Sequence, residues 1–276
     1  MQKLEFIVKN EIELTKAIIN ELPFLSRFDV KKILENKDVK INNVRTKENL
    51  LLKKNDKVSV FYKEKETKDW FNIVYADDNI VIVNKRSGIE VISETERDLC
   101  SFLNKDYPTI IPVHRIDRNT EGLVIFALNQ LAEKELLEAF KTRKGIIKKY
   151  ALLVNGRVDI TKIKRTVYLK KMEDLSKVWI SEIKTSGYDP IITEFDVVEY
   201  MGDKTLLQAN LLTGKTHQIR AHIAYFGYPI VGDNKYGKGK ENKLHLTANF
   251  LGFNFNKKNE LSYLNQKTFE IVPTWL

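Results

Sequence analysis

The chain reads Val-His-Arg-Ile-Asp-Arg-Asn-Thr-Glu-Gly at residues 113–122, and this decapeptide is its most informative stretch. Asp117 stands between Arg115 and Arg118, and His114 precedes them. An apolar run follows directly, so the acid is predicted to lie in a loop just before a buried strand. Neighbouring guanidinium groups favour an ionised carboxylate. The pattern suits an anionic polymer whose phosphates the arginines hold while the acid does chemistry. The alternative is a surface loop with a structural Arg–Asp pair.

A second informative stretch, residues 211–222, reads Leu-Leu-Thr-Gly-Lys-Thr-His-Gln-Ile-Arg-Ala-His. Ile219 and Ile223 share one face of a helix that is predicted to begin after Gly214 and to end before a glycine and a proline further on. Arg220 falls on a different face of this helix. We therefore expect its guanidinium to point toward a pocket.

Residues 209–216 also come one residue short of the P-loop pattern G-x-x-x-x-G-K-T, which would make the protein an NTPase. Ala209 stands where the first glycine belongs. Leu211 and Leu212 occupy what should be a glycine-rich phosphate cradle. Moreover, no apolar strand ends in an obvious Mg²⁺-binding aspartate, so the sequence argues against an NTPase.

The 276 residues, with 43% hydrophobic and 30% charged side chains, are enough for one large domain or two. The net charge of +9 and the pI of about 9.3 favour nucleic acid or an anionic membrane as partner, or simply reflect a lysine-rich proteome. No apolar stretch approaches the ~18 residues that span a bilayer, so no membrane role is expected.

The single cysteine, Cys100, allows no disulfide within the chain and indicates a reducing compartment. The first residues carry no signal-peptide core, so we expect the cytoplasm. His217 and His222 are five positions apart, not the four that place two ligands on one helical face. The sequence therefore predicts no metal site.

Residues 1–62 are predicted to form a small module of two helices followed by a hairpin-rich sheet. One helix is expected to begin with a capping box at Ser26, and its Lys31 and Lys32 are expected on one basic surface. Residues 63–69 are charged and poor in apolar side chains, so we place a linker there. Residues 70–276 then form a second domain.

The decapeptide resembles the H-R-L-D-R-x-T-S-G signature of the RluA-type pseudouridine synthases, which isomerise uridine to pseudouridine in RNA. The second stretch resembles the same family's L-x-T-G-R-T-H-Q-I-R-x-H. The resemblance covers roughly residues 70–255 and implies an α+β fold, with a mixed, largely antiparallel sheet flanked by helices and loops. V-K-I-N-N and N-D-K-V-S-V in residues 1–62 resemble the S4-like RNA-binding domain, a small α/β module.

The resemblance implies that Asp117 is the catalytic nucleophile or base and that Arg220 pairs with it. Tyr150, in an element like the family's K-x-Y-x-A, would contact the target base. No cofactor or metal is implied. The remaining candidates are residues expected to hold substrate or RNA: Arg115, Arg118, His114, Lys215, His217, Lys31 and Lys32.

Four positions depart from the family patterns: Ile116 for Leu, Glu121 for Ser, Lys215 for Arg, and Arg86 for the Pro of K-P-x-G. The partner implied is RNA, foremost 23S ribosomal RNA or its precursor, with transfer RNA as the alternative. A non-catalytic RNA-binding or ribosome-associated protein is the competing interpretation. It is disfavoured because binding alone needs no carboxylate in a phosphate-facing cleft. We expect a monomer.

Overall fold

The computed structural model describes residues 2–22, 25, 27–62, 70–93, 98–142, 144–172, 177–237, 239, 241, 243–255 and 258–276. The chain divides into two compact units, Met1–Asp69 and Trp70–Leu276. The predicted linker at 63–69 and the predicted cap at Ser26 lie outside the described residues.

The first unit contains β1 (Gln2–Ile7), β2 (Ile12–Glu13), α1 (Leu14–Glu21), α2 (Arg27–Glu35), β3 (Val39–Ile41), β4 (Val44–Thr46), β5 (Leu51–Leu52) and β6 (Lys57–Tyr62). The strands form an antiparallel sheet in the order β1-β6-β3-β4 and a separate β2–β5 pair. The core of this unit joins both helices to the sheet through Leu14, Ile18, Val30, Val58 and Val60.

The β3–β4 hairpin has asparagine at both central positions of a tight turn, where glycine is common. Asn42 and Asn43 have φ values of 49° and 68°. A two-residue hairpin turn of this type needs positive φ at both central positions, and asparagine tolerates that conformation better than most residues. The Asn42 side chain also donates to Asp56 Oδ1 at 2.9 Å and accepts from the Lys57 amide at 2.9 Å, which ties the turn to β6.

The second unit contains β7 (Phe71–Ala76), β8 (Ile80–Lys85), α3 (Leu99–Leu103), β9 (Ile111–Pro112), β10 (Glu121–Ala127), α4 (Gln130–Thr142), β11 (Gly145–Asn155), β12 (Thr166–Met172), β13 (Lys177–Ser181), β14 (Asp189–Met201), β15 (Lys204–Leu211), α5 (Gln218–Tyr225), β16 (Leu246–Asn254) and β17 (Thr268–Glu270). Among the described residues they form an eleven-stranded sheet in the order β13-β12-β14-β15-β11-β16-β10-β8-β7. Strands β9 and β17 pair with β10 and β16.

All neighbouring strands of this sheet are antiparallel except β10 and β16, which are parallel. Gly122 allows that parallel contact, since a Cβ there would lie 2.4 Å from the Ala248 carbonyl oxygen. The predicted α+β fold with a mixed, largely antiparallel sheet is confirmed.

The centre of the sheet is buried on both faces, which explains why residues 123–127 read as an unbroken apolar run. On one face Val124 and Phe126 pack with Tyr150 and with Ile219 of α5. On the other face Leu123 and Ile125 pack with α4 through Leu136. Helix α5 and the Tyr150 side chain therefore lie on the same face of the sheet, next to the loop that precedes β10.

Candidate active site

A cleft of about 440 Å³ opens between three segments that are distant in sequence. The loop between β9 and β10 supplies one wall, β11 supplies the floor, and the turn between β15 and α5 supplies the other wall. Its volume falls within the range of about 300–1,000 Å³ usual for ligand pockets. The polar and aromatic residues that line it include Asp117, Arg115, His114, Tyr150, Lys148, Lys215, His217 and Arg220.

The Asp117 carboxylate is partly accessible at the cleft wall, with 24% of the side chain exposed. Its Oδ2 accepts a hydrogen bond from Arg220 Nη1 at 3.0 Å, across 103 residues of sequence. His217 Nε2 lies 3.8 Å from the same oxygen. The other carboxylate oxygen, Oδ1, has no contact of this kind among the described residues, so it is the atom that can face a substrate.

Arg220 is in turn fixed by a second acid, Asp233. Arg220 Nε and Nη2 donate to the two carboxylate oxygens of Asp233 at 2.8 and 2.9 Å, which is the bidentate geometry that only arginine provides. Burial of the Asp233 side chain acts to raise its pKa, but Arg220 and the amides of Lys235 and Tyr236 outweigh it and lower that pKa. One guanidinium therefore bridges a fully buried carboxylate and the accessible Asp117.

His217 occupies the N-cap position of α5 with φ 56°, and this left-handed conformation turns its ring toward Asp117. Its Nδ1 lies 2.9 Å from the Tyr236 hydroxyl, which itself accepts the Val178 amide at 2.9 Å. We assign the hydroxyl proton to a bond with Nδ1, so that Nε2 carries a proton toward Asp117. Burial lowers the pKa of His217, although Asp117 acts against this, so the neutral ring is favoured near pH 7.

Tyr150 forms part of the cleft floor on β11 and is buried. Burial raises the pKa of its phenol, and the negative charge of Asp117 raises it further. The side chain is therefore a neutral phenol at physiological pH. It offers an aromatic face and a hydroxyl to whatever enters the cleft.

Lys85 connects the loop that follows β8 to the loop before β10, which carries Asp117. Its side chain is fully buried, and Nζ donates to the carbonyls of Arg86, Ile89 and Arg118 at 3.0, 2.9 and 3.1 Å. Burial lowers the pKa of Lys85 to about 7, and the nearby Asp117 and Glu121 carboxylates act against this. Three carbonyls match the three N–H donors of an ammonium group.

Arg86, which stands where the family usually has the proline of K-P-x-G, makes a backbone hydrogen bond. Its backbone N–H donates to the Trp70 carbonyl at 2.8 Å, a bond that the family's usual proline could not make. On the same loop, Gly88 and Arg118 exchange two bonds: the Gly88 amide donates to the Arg118 carbonyl at 2.8 Å, and Arg118 Nε donates to the Gly88 carbonyl at 3.0 Å.

We expected His114 to contact RNA, and in the structure its ring contacts other parts of the protein. Its Nε2 accepts the Ile125 amide at 3.0 Å, and its ring packs on Phe140 with centroids 4.8 Å apart. Burial, with a smaller effect of Lys148, holds its pKa well below the ordinary value. A neutral ring that accepts a backbone proton fixes β10 and carries no charge for a phosphate. Any contact of His114 with RNA would therefore be made by an uncharged ring at the cleft, and that contact stays a prediction.

The other predicted RNA contacts lie at accessible positions. Arg115 is exposed at the cleft, whereas the exposed Arg118 uses Nε within the loop. Lys215 lies at the cleft mouth, with Nζ 2.7 Å from Asp189 Oδ2. In the first unit Lys31 and Lys32 are exposed on α2, and Lys31 Nζ lies 3.9 Å from Glu35.

The P-loop alternative is wrong. Residues 209–211 belong to strand β15 rather than to a phosphate loop. Thr213 Oγ1 donates to Gln218 Oε1 at 2.8 Å, and Gln218 is the first residue of α5. The segment is a strand-to-helix turn closed by its own side chains.

Sequence reasoning missed the roles of Asp233, Tyr236 and Lys85. A signal was present for each, because all three lie in strings that match the family beside the two main motifs. Nothing in the spacing, however, shows that Asp233 meets Arg220 or that Tyr236 meets His217. Those contacts depend on how the segment after α5 folds back over the helix.

The match to known proteins is consistent with this geometry. Residues 79–225 match the family model described as RNA pseudouridylate synthase. An uncharacterized RNA pseudouridine synthase of Mycoplasma capricolum is 35% identical over 89% of this chain and 88% of its own length. The dual-specificity RNA pseudouridine synthase RluA of Escherichia coli K12 is 33% identical over 60% of this chain and 77% of its own length.

The ribosomal large subunit pseudouridine synthase D of Blochmanniella floridana is 34% identical over 60% of this chain and 53% of its own length. Among solved structures, human RNA pseudouridylate synthase domain containing 1 superposes with a TM-score of 0.58 at 22% identity, covering 77% of this chain and 94% of that one.

The fold is therefore that of the pseudouridine synthases. The chain belongs to the RNA pseudouridylate synthase family, in its RluA-type branch, and is an isomerase that acts on uridine in RNA. Among the described residues, no helix is long and apolar enough to cross a bilayer.

Proposed function

We propose that the cleft around Asp117 converts uridine to pseudouridine in structured RNA, with Asp117 as the residue that attacks the nucleotide. The observation that carries this proposal is the Asp117–Arg220–Asp233 chain. Arg220 holds one oxygen of Asp117 and is itself fixed by two hydrogen bonds to the buried Asp233. The other oxygen of Asp117 has no side-chain partner of this kind among the described residues. An Arg–Asp pair with a purely structural role would need one arginine and one acid, whereas Arg220 binds two acids.

The reaction breaks the bond between uracil N1 and the ribose, turns the base, and joins C5 to the same sugar carbon, while C5 loses a proton and N1 gains one. It is an isomerisation, so the product contains the same atoms as the substrate. Asp117 acts as nucleophile or base on the sugar or the uracil. Arg220 orients the carboxylate through its hydrogen bond to Oδ2. Tyr150 presents its ring and hydroxyl to the uracil once the nucleotide has left its stack.

Cations at the cleft supply the contact to the RNA backbone. Arg115 and Lys215 lie at the cleft wall and mouth and are accessible to phosphates. Lys148 Nζ lies 4.7 Å from the centroid of the Phe140 ring and borders the same space. Each would neutralise a phosphate that approaches with the flipped nucleotide.

We propose that the first unit is an S4-like RNA-binding domain. Lys3, Lys40 and Arg45 surround the Phe61 ring, with cation-to-centroid distances of 5.8, 5.7 and 6.0 Å. Three cations around one aromatic side chain form a surface suited to phosphates and stacked bases. Lys31 and Lys32 add two exposed cations on α2.

The RNA that we propose as target is large-subunit ribosomal RNA, and support comes from the name of the Blochmanniella relative. Transfer RNA is the alternative. The monomeric state and the cytoplasmic location stay predictions.

The test maps pseudouridines in ribosomal and transfer RNA from cells that lack the protein and from cells complemented with wild type, Asp117→Asn or Asp196→Asn. Asp196 is an exposed carboxylate of β14 and serves as the control. We expect wild type and Asp196→Asn to restore the same sites in ribosomal RNA and Asp117→Asn to restore none. Restoration by Asp117→Asn would remove Asp117 from the chemistry, and sites in transfer RNA alone would overturn the proposed target.

A further inference from the structure

A second cavity of about 370 Å³ borders Arg220. Every charged side chain among its described lining residues is a cation, namely Arg220, Lys177 and Lys235, and Ser87, Asn119 and Asn234 add neutral polar groups. Neither a carboxylate nor an aromatic ring is among the described residues that line it. Such a wall offers donors to an anion and no stacking surface to a base, so it matches a phosphodiester.

Lys177, one of the residues that line this cavity, is the first residue of strand β13, whose outer face also carries Trp179. Lys177 and Trp179 are exposed, and Val178 between them is buried, so both outward side chains lie on one face about 7 Å apart along the strand. Trp179 has 55% of its surface exposed. Lys170 is its direct cross-strand neighbour on β12 and is also exposed. The open indole thus lies across from Lys170 and two residues from Lys177, which also lines the cationic cavity.

The β12–β13 hairpin is held against the helix that carries Arg220. Val178 and Leu169, on the inner face of the hairpin, share a buried cluster with Ala221 of α5. The Val178 amide also donates to the Tyr236 hydroxyl, which contacts His217. The strand that carries the indole is therefore joined to α5, the helix of Arg220, through packed side chains and one hydrogen bond.

We propose that this surface is a second RNA subsite for a nucleotide that flanks the target uridine in an unpaired segment. The cavity holds its phosphodiester on Lys177 and Lys235, and Trp179 stacks on its base. Stacking is sequence-tolerant because every base has a π face, so this subsite gives affinity and direction to the strand rather than base identity. The inference rests on the proposed function in that it takes the Asp117 cleft as the site of the target uridine.

The test measures binding of a labelled single-stranded 12-nucleotide RNA of mixed sequence to the full chain, and quenching of tryptophan fluorescence by the same RNA. Trp179→Ala should weaken binding on the order of ten- to hundredfold, and Trp179→Phe should lose less because it keeps a ring. Ile183→Ala, a change at another exposed apolar residue close by in sequence, is the control and should bind as wild type. Quenching should largely disappear in Trp179→Phe, although Trp70 and Trp275 remain.

For the cavity, Lys177→Met should lower the slope of log affinity against log salt by about 0.7, the value for one phosphate bound on a single strand. Lys162→Met removes an exposed lysine that pairs with Asp159 and should leave the slope in place. Wild-type affinity in Trp179→Ala, or full quenching in Trp179→Phe, would overturn the stacking subsite. An unchanged slope in Lys177→Met would overturn the phosphate site.

Activity separates this proposal from the one on Asp117. Trp179→Ala should raise the RNA concentration needed for half-maximal rate and leave the rate at saturation close to wild type. Asp117→Asn should keep RNA binding and quenching while it loses product. The binding results can therefore be interpreted even if Asp117 proves not to be catalytic.

Discussion

The position of one guanidinium between two carboxylates is the feature on which the site depends. Asp233 is fully buried and Arg220 nearly so, which makes their bidentate pair costly to break from one side. Removing one partner of a buried pair leaves an uncompensated charge, whereas an exposed pair contributes little. The same guanidinium bonds to Asp117, so a change at Arg220 should affect both stability and the catalytic role that we propose for Asp117.

Arg220→Ala should lower the free energy of unfolding by about 3–5 kcal/mol, because the buried Asp233 carboxylate loses its partner. Urea unfolding of the full chain measures this. The control is Lys162→Ala, which breaks an exposed pair with Asp159 and should cost at most about 1 kcal/mol. Equal stability of Arg220→Ala and wild type would show that the Arg220–Asp233 pair does not anchor the structure.

Lys148, a partly buried lysine that lines the cleft, should make RNA binding depend on pH. Burial lowers its pKa to about 8, so its ammonium is charged below that pH and neutral above it. Affinity for RNA should therefore decrease as the pH rises from 7 to 9, measured by fluorescence anisotropy at constant ionic strength. Lys148→Arg stays charged across this range and should bind with little pH dependence. The same decrease in both proteins would exclude Lys148 as its source.

Among the strands and helices, β10 links the catalytic loop to the end of the chain through Glu121. This buried carboxylate, which replaces the family's usual serine, accepts Thr247 Oγ1 at 3.0 Å, and its Oε2 accepts Thr274 Oγ1 at 2.8 Å. The Thr274 amide also donates to it at 3.0 Å. A serine side chain is shorter and carries no negative charge, so it would not replace these hydrogen bonds. Glu121 therefore secures the C-terminal residues to the sheet.

Glu121→Ser should therefore release the C-terminal residues. We expect faster hydrogen exchange at the Thr274 amide and a loss of about 1–3 kcal/mol in the free energy of unfolding, since buried donors lose their acceptor. Glu199→Ser, at an exposed position of β14, is the matched control and should change neither quantity. Unaltered exchange at Thr274 in Glu121→Ser would show that the C-terminal residues are held by other interactions.

The sequence predicted local elements well and long-range contacts poorly. The apolar runs after Gly122 and from Tyr150 to Val154 identify strands because burial imposes a pattern on neighbouring residues. The Asn42-Asn43 turn is readable because asparagine tolerates a positive φ better than most residues. By contrast, the string that begins at Lys85 matches the family but does not show its contacts, because its three carbonyl partners come from two loops that only the folded sheet brings together.

The same distinction applies to the site. Asp117 and Arg220 could be assigned to one another before the structure only because their motifs match a family in which that pair is known. His114 shows the limit of such reasoning. Its position beside two arginines suggested a phosphate contact, but its ring accepts a backbone proton of β10 instead. The orientation of a side chain depends on the elements packed around it, which one sequence does not specify.

The protein as a whole divides into two compact units with separate cores. Deleting residues 1–62 should leave a fragment that folds and retains slow synthase activity at high RNA concentration. Its RNA affinity should fall, and the salt slope should flatten by about 0.7–0.9 for each phosphate that the fragment no longer binds. An unchanged slope would show that the first unit does not contact RNA.

The catalytic role of Asp117 is tested by comparing RNA binding and product formation by purified wild type and Asp117→Asn, with a substrate RNA identified by pseudouridine mapping. The exchange keeps the size of the side chain but removes the nucleophile or base. We predict that pseudouridine formation is abolished while RNA affinity stays equal or improves, because a negative charge leaves the cleft. Turnover by Asp117→Asn at a near wild-type rate would contradict the assignment of this carboxylate as the catalytic group.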